Sequence, residues 1–122
     1  MKKFKVLVKK DQGRGKSLGF PTANFNLDEN LNDGIYVGKA NAKPALIFVG
    51  ANITFGESRK HGEVYILDFQ DDLYDQEIEV EILQKLRENK KFDSSEELIE
   101  QMKKDEEVAR KFFGTGSLLS RG

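Results

Sequence analysis

Residues 13–24 contain the residue types that bind an anion through backbone N–H groups. Three glycines, Gly13, Gly15 and Gly19, permit positive φ angles and close backbone approach, so N–H groups can line up against a phosphate. Lys16 adds positive charge to the segment. Glycines alone are more typical of a surface turn, but glycine, lysine, proline, threonine and asparagine in this order form a more specific pattern. We therefore expect this segment to bind an anion.

The glycine segment matches neither of two common phosphate-binding motifs. A P-loop needs a glycine five positions before Gly15, where this chain has Lys10, and a following helix, which Pro21 opposes. The dinucleotide-binding fingerprint needs its third glycine at the position of Leu18. Both motifs are therefore excluded.

Thr22 and Asn24 follow the glycines and form a candidate cation site. Side chains two residues apart point the same way in an extended segment. A hydroxyl and an amide oxygen are hard ligands that suit Mg²⁺ and phosphate, with water completing the coordination shell.

Short runs with the pattern of β-strands occupy the first two thirds of the chain. Residues 78–86 alternate, with Ile78, Val80 and Ile82 on one face. Residues 45–49 are apolar throughout, which indicates burial on both faces. The predicted strands are residues 4–9, 35–40, 45–49, 63–69 and 78–86.

Residues 94–113 have the spacing of an amphipathic helix. Ser94 and Glu97 fit a capping box at its start, and Gly114 is a typical stop. Asp105 and the residue after it interrupt the apolar stripe, so we expect the helix to bend or to leave the core there.

These elements predict an all-β domain with a C-terminal helix. Short strands followed by one helix favour a small antiparallel barrel with the helix packed on it. The strands do not alternate with helices, which argues against a doubly wound α/β fold. We expect one domain over residues 1–122, with residues 114–122 as a flexible tail.

The composition disfavours several classes of partner and site. The chain has 20 basic and 21 acidic residues, so no bulk charge attracts nucleic acid or anionic lipid. It has no cysteine and a single histidine, His61, which alone cannot build a zinc site and receives no role. No segment approaches the roughly 20 apolar residues of a membrane span. We expect a cytoplasmic monomer that binds neither nucleic acid nor membrane.

Residues 15–24, which read GKSLGFPTAN, resemble the signature of riboflavin kinases, including the kinase module of bacterial bifunctional FAD synthetases. The resemblance continues in order to about residue 110. The other matching segments are GIY at 34–36, NITF at 52–55, EVYILDF at 63–69, DLY at 72–74, LR at 86–87, KFDS at 91–94, Asp105 and AR at 109–110. This resemblance implies a six-stranded Greek-key barrel that transfers the γ-phosphoryl group of Mg–ATP to the 5′-hydroxyl of riboflavin, giving FMN and ADP.

The resemblance also implies roles for single residues. The implied nucleotide- and phosphate-binding residues are Gly13, Gly15, Lys16, Gly19, Thr22 and Asn24, of which the last two also hold the metal. Glu63 is the implied catalytic base, although a glutamate at a strand start is by itself usually just solvated. Arg87 and Phe92 match positions near the flavin; alone, a surface ion pair and a core anchor are equally good interpretations. Mg²⁺ is the implied metal, with Mn²⁺ or Zn²⁺ left open, and ATP is the co-substrate.

Two other functions stay open. Asp11 stands where the family usually has glycine, which allows a non-catalytic flavin- or nucleotide-binding module of the same fold. The intact Thr22, Asn24 and Glu63 argue against it. A small barrel that binds nucleic acid is disfavoured by the balanced charge.

Overall fold

The protein is described by a computed structural model over residues 2–9, 22–27, 31–50, 61–68 and 75–114. The elements in these ranges are β1 (Lys2–Lys9), β2 (Ala23–Phe25), β3 (Gly34–Ala40), β4 (Lys43–Gly50), β5 (His61–Ile66), β6 (Glu77–Arg87) and α1 (Ser95–Phe113). The predicted strands are confirmed with slightly different ends. The sequence predicted β2 only as an extended segment.

The strands form a closed barrel in the order β1-β2-β5-β4-β3-β6, and every neighbouring pair is antiparallel. Strands β3, β4 and β5 follow one another as neighbours, and β6 returns to lie beside β3. This is the strand order of a Greek key. The predicted six-stranded Greek-key barrel with a C-terminal helix is therefore confirmed.

Strand β4 shows how one apolar run serves two cores. Ala45, Ile47 and Val49 alternate into the barrel interior, where they pack with side chains of the other strands. Leu46 points to the opposite face and joins a second cluster, which includes Ala109 of the helix. The predicted burial of both faces of this strand is confirmed.

Helix α1 begins and ends at the predicted residues. The Ser94 hydroxyl accepts a hydrogen bond from the Glu97 backbone N–H at 3.2 Å, and Gly114 adopts the left-handed conformation with φ of 71°. The Glu97 carboxylate accepts from the backbone N–H of Asp93 at 3.4 Å, one residue earlier than a capping box requires. Within the described residues, no helix combines the length and the apolar character that a membrane span needs.

The expectation that the helix leaves the core at Asp105 is wrong. Asp105 is buried on the same face of one continuous helix as Met102 and Ala109. Arg87, at the end of β6, donates to it through Nε at 2.9 Å and Nη2 at 2.8 Å. Gln101 donates to it at 3.0 Å. These donors stabilise the buried charge, so the carboxylate anchors the helix to the barrel.

We expect Asp105→Asn to lower the free energy of unfolding by about 3 kcal/mol, because it leaves the mostly buried Arg87 charge without its counterion. Glu88→Gln is the control, since it removes only the pair between Lys85 and a carboxylate that is 81% exposed. That change should cost less than about 1 kcal/mol. Urea denaturation of both variants gives the comparison. Equal losses would show that the buried pair does not anchor the helix.

Candidate active site

Strands β2 and β5 bring the predicted metal ligands and the predicted base to one face. Asn24 pairs with Glu63, and Phe25 pairs with Gly62. Paired residues lie on the same side of a sheet, and successive residues alternate. Phe25 belongs to the barrel core, so Asn24 and Glu63 face outward. Thr22, two residues before Asn24, contacts Glu63. Thr22 and Asn24 therefore lie on the same side, as their spacing predicted.

Gly62 allows β2 and β5 to approach each other closely. A Cβ atom at this position would lie 2.3 Å from Cε2 and Cζ of the Phe25 ring. The ring therefore occupies the space that a side chain at position 62 would need. This contact fixes which residues of both strands face the interior, and hence which ones face the site.

The Glu63 carboxylate is held by two side chains, one at each oxygen. The Thr22 hydroxyl donates to Oε1 at 2.9 Å, and His61 Nε2 lies 2.8 Å from Oε2. The Glu63 side chain is 18% exposed, so the carboxylate is mostly buried but still reachable. A carboxylate in this setting can accept a proton from a hydroxyl group placed next to it.

The oxygen atoms beside Glu63 fit a hard cation and a phosphate. Because the only proton of the Thr22 hydroxyl is donated to Glu63, the lone pairs of its oxygen stay available to a cation. Asn24 adds an amide on the same face. Within the described ranges, no three His, Cys, Asp or Glu side chains are grouped to hold a metal. A cation here would therefore share its coordination between these oxygens, substrate phosphates and water.

The predicted glycine-rich part of the site lies outside the described residues. Gly13, Gly15, Lys16 and Gly19 all belong to it, and their roles stay predictions. Of the predicted nucleotide-binding residues, the described ranges include Thr22 and Asn24, and both lie next to Glu63.

His61 is the residue of this site that sequence reasoning missed. It precedes Glu63 by two positions, so a strand places both side chains on one face. That spacing was visible in the sequence. The sequence did not show that His61 belongs to the site, because the predicted strand began at Glu63 and the observed strand begins at His61.

Arg87 and Phe92, the predicted flavin contacts, lie together where β6 connects to the helix. The Arg87 Cζ atom is 5.9 Å from the centre of the Phe92 ring, and Lys90 Nζ is 5.1 Å from it. Phe92 is buried, and Arg87 donates to Asp105 and to the backbone oxygen of Glu88. Phe92 is thus a core anchor, and Arg87 forms an ion pair that is mostly buried rather than on the surface. Flavin contact stays a prediction.

A second network ties the helix to the end of β5. Arg110 donates to Asp68 at 2.7 and 3.0 Å and to Glu106 at 2.9 Å, and the Tyr65 hydroxyl donates to Glu106 at 3.4 Å. The hydrogen bond from Arg110 lowers the pKa of Asp68. Burial raises the pKa of the Tyr65 phenol, and the negative charge of Glu106 raises it further. The strand that carries Glu63 is therefore held against α1.

The family model described as Flavokinase, riboflavin kinase, matches residues 2–113. The chain belongs to the riboflavin kinase family. Within this family, the relative in Listeria monocytogenes is a bifunctional riboflavin kinase/FMN adenylyltransferase, 38% identical over 108 residues. The match covers 82% of this chain and 34% of that protein.

Another relative is the RNA-binding riboflavin kinase RibR of Bacillus subtilis, 37% identical over 112 residues. That match covers 87% of this chain and 49% of the relative. The chain thus spans less than half of the length of both relatives. It corresponds to one part of each of these proteins.

Two solved structures share the fold of this riboflavin kinase family member. A Streptococcus pneumoniae protein described as a macrolide-efflux protein aligns with a TM-score of 0.76 at 36% identity, over 88% of this chain and 38% of that chain. The riboflavin kinase of Trypanosoma brucei aligns with a TM-score of 0.63 at 20% identity, over 92% of this chain and 80% of that chain. The second likeness shows the fold alone.

We expect Tyr65→Phe to change how stability depends on alkaline pH. The folded state raises the pKa of the Tyr65 phenol above its ordinary value of 10.0, so the protonated form favours folding. That contribution is complete below this value and is lost as pH rises through the folded-state pKa. Urea denaturation of both proteins from pH 8 upward should therefore show the wild type losing stability more steeply than Tyr65→Phe above about pH 10. Parallel curves would contradict the raised pKa.

Proposed function

We propose that this domain transfers the γ-phosphoryl group of Mg–ATP to the 5′-hydroxyl of riboflavin, giving FMN and ADP. One observation carries the proposal: in a member of the riboflavin kinase family, the Glu63 carboxylate lies beside Thr22 and Asn24, held at both of its oxygens. A proton acceptor and cation ligands are the groups that phosphoryl transfer to an alcohol requires.

Glu63 is proposed as the catalytic base. It accepts the proton of the riboflavin hydroxyl as that oxygen forms its bond to the γ-phosphorus and the bond to ADP breaks. Phosphoryl transfer depends mainly on positioning and on charge stabilisation, so a carboxylate with a fixed orientation suits this role. The two side-chain contacts of Glu63 support this role.

Thr22 and Asn24 are proposed to hold the Mg²⁺ ion and the phosphates of the nucleotide. Oxygen ligands favour Mg²⁺ or Mn²⁺, whereas Zn²⁺ prefers nitrogen and sulfur ligands. When bound, the cation neutralises the charge that develops on the transferred group. Gly13, Gly15, Lys16 and Gly19 are proposed to surround the same phosphates with backbone N–H groups and a positive charge.

Arg87 and Phe92 are proposed to border the isoalloxazine ring of the flavin. A flavin needs a flat and mostly apolar slot with a few polar contacts. Asp105 holds the planar Arg87 guanidinium in one orientation, which prepares it to stack on a ring or to donate to one. The ion pair and the flavin contact are compatible roles for Arg87.

A non-catalytic module of the same fold is not favoured, because Thr22, Asn24 and Glu63 form one cluster. We also propose a cytoplasmic monomer that does not bind nucleic acid. On the outer face of the barrel, Lys3 and Lys5 of β1 pair with glutamates of β6, which weakens any continuous basic surface. Because one relative is described as RNA-binding, the expected absence of nucleic-acid binding should be tested by a direct binding measurement with RNA.

Incubation of the protein with riboflavin, ATP and Mg²⁺, followed by chromatography, tests the proposed reaction. We expect FMN to form only when the metal is present. Glu63→Gln should keep nucleotide binding and lower turnover by roughly 100-fold or more, the usual contribution of a general base. Glu79→Gln, an amide substitution on β6, is the matched control and should retain turnover. Wild-type turnover by Glu63→Gln would remove Glu63 from the mechanism.

We expect Thr22→Ala to weaken nucleotide binding only when Mg²⁺ is present, by about tenfold, because it removes one oxygen ligand. Calorimetric titration with ADP, with and without Mg²⁺, measures the effect. Thr22→Ser keeps the hydroxyl and should bind like the wild type. A loss of affinity that is equal without metal would place Thr22 outside the cation site.

A further inference from the structure

His61 has the position and chemistry of a residue that orients Glu63. It begins β5, and its partner on β4 is Gly50, which contributes no side chain beside the ring. The residue between it and Glu63 is Gly62, which packs directly on the Phe25 ring. This packing holds the strand, so the imidazole and the carboxylate project from the same face, 2.8 Å apart.

The direction of the hydrogen bond follows from the chemistry of the carboxylate. A base must be ionised before it reacts, and an ionised carboxylate only accepts hydrogen bonds. His61 Nε2 therefore carries a proton and donates it to Oε2, while the Thr22 hydroxyl donates to Oε1. Two donors at opposite oxygens fix the rotation of the carboxylate about its last bond. Each oxygen keeps a lone pair for a substrate hydroxyl.

We propose that His61 is a positioning residue, which holds the Glu63 carboxylate in the plane that receives the proton of the riboflavin hydroxyl. This inference rests on the proposed function of Glu63 as the base. The contribution of His61 in this proposal is the direction of the hydrogen bond from Nε2, which a neutral ring protonated on Nε2 can donate without any charge. An uncharged donor at the same place should then replace it.

Three substitutions separate orientation from other effects. The glutamine amide nitrogen reaches the place of Nε2, the asparagine amide reaches only the place of Nδ1, and alanine donates nothing. We expect His61→Ala and His61→Asn to lower kcat about tenfold or more, because a misplaced catalytic group is costly even at constant binding. His61→Gln should recover most of the wild-type kcat. KM for Mg–ATP and Tm should stay near the wild-type values in all three.

A double-variant cycle tests whether His61 acts through Glu63. In the Glu63→Gln background, His61→Ala should cause little further loss of kcat, because the group that it orients is already disabled. Wild-type kcat in His61→Ala would overturn the proposal. So would an equal loss in both backgrounds, or a failure of His61→Gln to recover turnover while it folds normally.

A measurement without turnover separates this inference from the proposed function. His61 is the only histidine of the chain, so its imidazole ¹⁵N signals need no further assignment. We expect the wild type to carry the proton on Nε2. The coupling of this proton to ¹⁵N, or its protection from exchange with solvent, should be seen in the wild type and lost in Glu63→Ala. A neutral ring protonated on Nδ1 would overturn the inference. Absence of FMN formation by the wild type would instead count against the proposed function.

Discussion

The contact between the Phe25 ring and Gly62 is the constraint on which the site depends. It joins β2 to β5, which are far apart in the chain, in the register that places the buried ring opposite Gly62, where no side chain competes for its space. A shift of the pairing by one residue would place Phe25 opposite Glu63 on the same face, so either the aromatic ring would turn outward or Glu63 would turn into the apolar interior. The free-energy cost of burying a carboxylate and the packing of the aromatic ring both favour the observed register. The barrel core therefore determines the geometry of a polar site on its surface.

The helix contributes to this arrangement through charge as well as through packing. Asp105 and Arg87 join its middle to the end of β6, and Arg110 joins its last turn to the end of β5. The two ion pairs differ in kind. The pair between Arg87 and Asp105 is mostly buried, so breaking it leaves a buried charge without its counterion. In the pair between Arg110 and Asp68, Asp68 is 72% exposed, so water screens the attraction. The apolar cluster that includes Leu46 of β4 and Ala109 of the helix adds packing to these two ion pairs.

Much of the fold was predictable because its signals are local. The alternation of 78–86 marks one inward face, the continuous run of 45–49 marks a strand buried on both sides, and Ser94 and Gly114 mark the helix ends. The burial of Asp105 was not predicted, because a local sequence pattern does not show which residue lies opposite a side chain in the folded protein. An aspartate in an apolar stripe looks like an interruption until its partner, Arg87, is known to lie opposite. Sequence spacing does not contain that pairing, because strand and helix meet only in the folded chain.

The sequence by itself determined the family, the order of strands and helix, and the candidate roles of Thr22, Asn24 and Glu63, since these depend on residue types at short spacings. Only the tertiary structure decided that the hydroxyl of Thr22 donates to Glu63 and that His61 lies at its other oxygen. It also decided that Arg87 is already paired with a buried carboxylate. Barrel closure brings together side chains from separate strands, and hydrogen bonds form only at distances that closure sets.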